Sequence, residues 1–141
     1  MSQPNNQLTV YSALYQDGAH LEAFGKLETV RHPKDLTTDN AILILHGGAD
    51  ISPSIYKHPV SSYTHADRSM SARDLSEVLL AKRAIELNIP IFGICRGAQL
   101  ACALAGGSLV QHIDNHVSGG HEVITKDGEV HKTSTCHHRS E

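Results

Sequence analysis

The stretch Ile89-Pro90-Ile91-Phe92-Gly93-Ile94-Cys95-Arg96-Gly97-Ala98-Gln99-Leu100 decides how this chain is read. Pro90 bars continuation of any preceding helix, and the apolar residues 91–94 predict a short strand. Residues 96–105, rich in Ala and Leu and followed by Gly106-Gly107, predict a helix with a glycine stop. Between strand and helix, residues 93–97 have the form G-x-C-x-G, the thiol counterpart of the serine elbow. So sharp a turn needs small residues two positions either side of the central one, where a side chain would strike neighbouring backbone. Cys95 is therefore expected at a helix N-terminus, where amide dipoles favour negative charge, with the N–H of Arg96 aimed at a developing oxyanion. The competing reading makes Cys95 a small buried apolar residue, as many free cysteines are. Cys102, within the Ala/Leu helix, reads as core, and Cys136 lies beside paired histidines.

Working outward, residues 71–88 (SARDLSEVLLAKRAIELN) predict a helix. Leu75, Val78, Leu79 and Ile85 follow helical spacing, Ser71 is placed to cap the start, and Asn88 ends the run. Residues 41–45 (AILIL) form a continuous apolar run, the pattern of a strand buried on both faces, and lead into His46-Gly47-Gly48. Residues 8–14 predict a first strand, 19–27 a short helix and 27–31 a second strand. Residues 50–70, polar and containing Pro53 and Pro59, read as a long surface excursion of the kind that tends to be functional. In the C-terminal third, HEVIT and EVHKTST flank Lys126-Asp127-Gly128 and predict a β-hairpin. The alternation of strand and helix favours an α/β class, three-layer, with a mainly parallel sheet flanked by helices. Ligands gather at the carboxyl ends of such strands, where HGGAD and CRGAQ both fall.

Composition bounds the function. At 141 residues and 15.3 kDa the chain fits one domain, and 40% hydrophobic with 19% charged residues is a globular balance. No apolar run approaches the roughly 18–20 residues needed to cross a bilayer, so a membrane-spanning protein is not expected. The polar N-terminus lacks the pattern of a secretory signal, which predicts a cytoplasmic location. Three cysteines at no framework spacing argue against a disulfide scaffold. A net charge of −3 without a basic stripe argues against nucleic acid as a direct ligand. Eleven histidines are the anomaly. Their full protonation would carry the net charge from −3 to +8, so solubility is expected to change near pH 6–7.

Residues 72–113 (ARDLSEVLLAKRAIELNIPIFGICRGAQLACALAGGSLVQHI) resemble the class I glutamine amidotransferase-like superfamily, and within it the gamma-glutamyl-hydrolase-like branch called peptidase C26. Upstream, LHGGADISPSIY resembles that branch's glycine loop; downstream, TSTCHHR resembles its S-x-H-H-Q segment. The resemblance implies a single flavodoxin-like domain over residues 1–141, with the C-terminal β-hairpin as an addition. It implies that Cys95 attacks the gamma-carbonyl of a glutamine or gamma-glutamyl compound to form a thioester. Gly48 and the N–H of Arg96 would supply the oxyanion donors, and Gly47, Gly48, Gln99, Ser134 and His137 would line the substrate site. A small gamma-glutamyl molecule is the implied partner, with no cofactor and no metal. The hydrolase-like branch is favoured over an ammonia-channelling enzyme, which would need a synthetase domain or subunit.

The family's base comes from a later His-x-Glu segment with no counterpart here, since His112-Ile113-Asp114 falls just after the elbow helix. The domain is accordingly expected to be C-terminally incomplete. A short homologue without amidase activity, or a substitute base at His137 or His138, are the alternatives. A missing terminal strand would uncover a sheet edge and promote homo-oligomers. Two other functions stay open: a noncatalytic glutamyl-binding or regulatory module, and a metal-binding protein built on His112, His116, His121, His131, His137 and His138.

Overall fold

The computed structural model of the chain describes residues 6–13, 19–56, 70–109 and 120–134. The strands buried most completely lie at the centre of the sheet. β1 (Thr9–Ala13) is buried at all five positions and β3 (Ala41–Leu45) at four of five. They pair in parallel in a four-stranded sheet of order β2-β1-β3-β4, with β2 (Lys26–Val30) and β4 (Ile91–Gly93) outermost. The continuous apolar run at 41–45 thus has the doubly covered position that its sequence predicts.

The strand period of two divides the core. Tyr11, Ala13, Leu43 and Leu45 share one cluster with Leu80, Ala81 and Ala84 of α1 (Ala72–Glu86) and Leu100 of α2 (Arg96–Leu104). Val10 and Ile44 face the other way and pack with Leu21, Ile42 and Ile94. Both α-helices therefore cover one face, and the segment carrying Leu21 covers the opposite one. The α/β architecture is the expected one, a parallel sheet flanked by helices.

Helix ends follow local chemistry. Ser71 and Asp74 form a reciprocal capping box at the start of α1: the Asp74 N–H donates to Ser71 Oγ at 3.0 Å and the Ser71 N–H to Asp74 Oδ2 at 3.2 Å. Asn88, with φ 56°, turns the chain out of the helix. At the end of α2 the N–H of Gly107 donates to Cys102 O (2.9 Å) and that of Gly106 to Ala103 O (3.1 Å), the paired bonds of a Schellman motif. β5 (Gly120–Ile124) and β6 (Val130–Ser134) form the antiparallel hairpin expected around Lys126-Asp127-Gly128.

Three expectations need correction. Residues 19–27 form no α-helix: a 3₁₀ segment occupies Ala19–Phe24 and β2 begins at Lys26. Leu75, Leu79 and Ile85 do not face the core, being 52%, 45% and 57% exposed. The buried face of α1 carries Asp74, Glu77, Val78, Leu80, Ala81 and Ala84 instead, because its two carboxylates meet an arginine from α2. The presumed surface excursion begins inside the molecule, with Ile51, Ser52 and Pro53 buried. Ser52 N–H donates to Asp74 Oδ2 at 3.3 Å, which draws that loop under α1. Residues 57–69 of the excursion lie outside the described set. Among the described residues no helix is long and apolar enough to cross a membrane.

Candidate active site

β3 and β4 end side by side, linked by the Ile94 N–H donating to Leu45 O at 2.9 Å. The segments leaving them, 46–48 and 94–97, are consequently neighbours. Cys95 is the N-cap of α2, with φ 55° and ψ −109°, a conformation that L side chains rarely adopt. It is held there by its own helix. Its carbonyl accepts from the N–H groups of Ala98 (3.0 Å) and Gln99 (3.2 Å), while Gly97 N–H donates to Ile94 O (2.9 Å). A Cβ at Gly97 would collide with the Leu45 carbonyl, and one at Gly93 with the backbone of Gly97 and Ala98. The two glycines are required by close approach, as the elbow pattern anticipates.

The strained turn leaves Cys95 exposed. The glycine loop lies against it: a Cβ built on Gly47 would stand 3.4 Å from Cys95 Cβ and 4.0 Å from Sγ. Gly48 has φ 149°, and a side chain there would run into the Arg73 guanidinium. No backbone carbonyl among the described residues takes the N–H of Gly47, Gly48 or Arg96. Nearby, Ser12 Oγ and His46 Nε2 are 2.7 Å apart and buried, which ties the end of β3 to β1.

Beneath the turn lies a buried ionic cluster. The Arg96 side chain, 2% exposed, pairs through Nη2 with Asp74 Oδ1 and through Nη1 with Glu77 Oε2. Arg73 adds a third link, with Nε 3.4 Å from Glu77 Oε2. Its Nη2 donates to the carbonyls of His46 (3.1 Å) and Gly47 (2.8 Å). Burial pushes the Glu77 carboxyl above the ordinary carboxylate range, against the opposing pull of Arg96 and Arg73.

Gln99 is likewise buried; its Nε2 donates to Asp50 Oδ1 (3.1 Å), and its Oε1 accepts from the Ile51 N–H (3.4 Å). The elbow thus brings together Gly47, Gly48, Cys95, Arg96 and Gln99. Ser134 ends β6 in the hairpin, and its side chain lies outside the described set, as does His137. Of the histidines considered for a metal, His131 is exposed, with Nε2 3.3 Å from Glu129 Oε2. His112, His116 and His138 lie outside the described residues. No group of three or more His, Cys, Asp or Glu able to hold a metal occurs among the described residues.

Sequence reasoning missed Arg73, Asp74, Glu77 and Asp50. The available signal was the placement of Asp74, Glu77, Val78, Ala81 and Ala84 along one helical stripe, which puts two acids on a face otherwise made of small apolar residues.

A parallel α/β sheet whose strand-to-helix elbow presents a cysteine beside a glycine loop defines the glutamine amidotransferase-like class. The chain belongs to the peptidase C26 family, whose family model matches residues 29–139. It is 42% identical over 74 residues to protein NtpR of Enterococcus hirae, covering 52% of this chain and 30% of the relative. It is 34% identical over 101 residues to the glutamine amidotransferase-like protein YvdE of Lactococcus lactis subsp. lactis, covering 71% and 42%. A glutamine amidotransferase-like protein of Rickettsia prowazekii is 37% identical over 78 residues, covering 55% and 27%. The chain spans less than half the length of these curated relatives.

Proposed function

We propose that the chain carries the nucleophile and oxyanion site of a cysteine-dependent amidohydrolase that cleaves gamma-glutamyl amides. The observation that carries this reading is Cys95, exposed on a strained turn between the glycine loop and the first amides of α2. Sulfur adds to the gamma-carbonyl carbon, and the C–N bond breaks. The amine departs with the proton given up by the thiol. Water then splits the thioester, releasing the glutamyl acid and returning a proton to Cys95. Negative charge on the carbonyl oxygen during each addition is met by the N–H groups of Gly48 and Arg96, preorganised donors of the kind that contribute most to such reactions. Gln99 holds residues 50–51 through Asp50 and the Ile51 N–H and, with Gly47, Ser134 and His137, completes the glutamyl pocket in this reading.

The test is incubation of the protein with glutamine and with a gamma-glutamyl anilide, following ammonia or aniline release and intact mass. The expected result is a glutamyl adduct on Cys95 that is absent from Cys95→Ser. Saturable binding of gamma-glutamyl compounds with neither adduct nor release would mark the chain as a glutamyl-binding module instead. An adduct that persists in Cys95→Ser would show that the nucleophile lies elsewhere.

A further inference from the structure

We infer that Arg73 is a positioning residue for the oxyanion site, acting on the glycine loop through two backbone carbonyls. The inference rests on the hydrolase reading and adds a residue to it. Arg73 lies on the first turn of α1, yet its side chain reaches back to the end of β3. There one nitrogen, Nη2, donates to both His46 O (3.1 Å) and Gly47 O (2.8 Å). A trans peptide is planar and its N–H points opposite to its C=O. Fixing the carbonyls of residues 46 and 47 toward Arg73 therefore fixes the N–H groups of Gly47 and Gly48 away from it. The Gly48 N–H is the one required as an oxyanion donor. A loop with φ 149° at Gly48 has no helix or strand ladder to set its peptide planes, so the guanidinium performs that task.

The guanidinium is itself located. Its Nε lies 3.4 Å from Glu77 Oε2, the same oxygen that Arg96 Nη1 contacts. One carboxylate oxygen thus joins the arginine that orients the glycine loop to the arginine that follows the nucleophile. A single shared atom couples the side chains that lie behind the two oxyanion donors. Charge contributes as well, since a cation on a peptide carbonyl polarises that peptide and strengthens its N–H as a donor. Lysine at 73 would keep a charge but would lose the fork that engages both carbonyls and Glu77 together.

The experiment uses the full chain with Arg73→Lys and Arg73→Gln, each first confirmed as folded by its melting curve. Three quantities are measured: acylation of Cys95 by a gamma-glutamyl anilide, alkylation of Cys95 by iodoacetamide, and the ¹H–¹⁵N shifts of Gly47 and Gly48. Displacement at iodoacetamide builds no oxyanion, so only acylation depends on the loop. We expect acylation to fall by about 10²-fold in Arg73→Gln, the order seen when one oxyanion donor is lost, and by less in Arg73→Lys. Alkylation should be unchanged, and both glycine cross-peaks should move. Acylation at the wild-type rate in folded Arg73→Gln, a parallel fall in acylation and alkylation, or unmoved glycine cross-peaks would each overturn the inference. If the wild-type chain does not acylate, the hydrolase reading fails, and the glycine shifts alone decide whether Arg73 orients the loop.

Discussion

Replacing Arg96 by alanine should be among the most destabilising single changes available outside the apolar core. Its side chain is 2% exposed, and its partners Asp74 and Glu77 are 3% and 1% exposed. Truncation removes a cation from two carboxylates that water does not reach. Asp74 would retain the N–H groups of Ser71 and Ser52, whereas Glu77 would retain, among the described residues, Arg73 at 3.4 Å. Breaking a buried pair in this way typically costs about 3–5 kcal/mol. With an unfolding entropy of about 2.1 cal/mol/K per residue over 141 residues, that corresponds to a melting temperature lower by roughly 10–17 °C. Differential scanning calorimetry at neutral pH measures it directly. The companion variant Arg96→Met/Glu77→Leu removes both charges of one pair, leaving Arg73 and Asp74, and should recover much of the loss. Arg96→Ala melting together with the wild type, or the double variant melting below Arg96→Ala, would refute the reasoning.

Three further outcomes follow from the same geometry. Cys95→Gly relieves the positive φ at the elbow, so it should melt a few degrees higher, by about 1 kcal/mol of released strain, while losing all acylation. Gly97→Ala places a methyl group against the Leu45 carbonyl and should cost about 1–3 kcal/mol by overpacking, read from urea denaturation midpoints. Asp35 accepts the N–H groups of Arg31 and His32, both at 2.9 Å, and these bonds hold its carboxyl below the usual carboxylate range. Because the folded value lies below the unfolded one, its contribution is present above the unfolded value and is lost as pH falls through the folded one. The melting difference between wild type and Asp35→Asn should therefore shrink on acidification below about pH 4.

Features encoded locally were legible. Pro90, Gly93, the Ser71 cap and the Lys126-Asp127-Gly128 turn each act through near neighbours in sequence, and the elements they bound lie where the sequence puts them. The elbow was readable in part for the same reason, since the steric demand at Gly93 comes from Gly97 and Ala98, whereas that at Gly97 comes from the Leu45 carbonyl on β3 and was anticipated only through the G-x-C-x-G pattern. The orientation of α1 was not. Hydrophobic spacing directs Leu75 and Leu79 inward, but Arg96, 22 residues beyond Asp74 and 19 beyond Glu77, offers those acids a buried partner and rotates the helix toward itself. The burial of 51–53 was hidden likewise, because it depends on Asp74 and on the Gln99 amide, 48 residues from Ile51.

The cluster beneath the turn sets two guanidinium groups, Arg73 and Arg96, against two carboxyl groups, Asp74 and Glu77, so its formal charges balance. It fixes directions while adding almost nothing to the long-range potential felt by an approaching anion. Being enclosed, it is also shielded from mobile ions, which weaken exposed pairs far more than interior ones. Raising sodium chloride should therefore leave the alignment of the turn and the glycine loop unchanged, even where it alters how fast a charged glutamyl compound arrives.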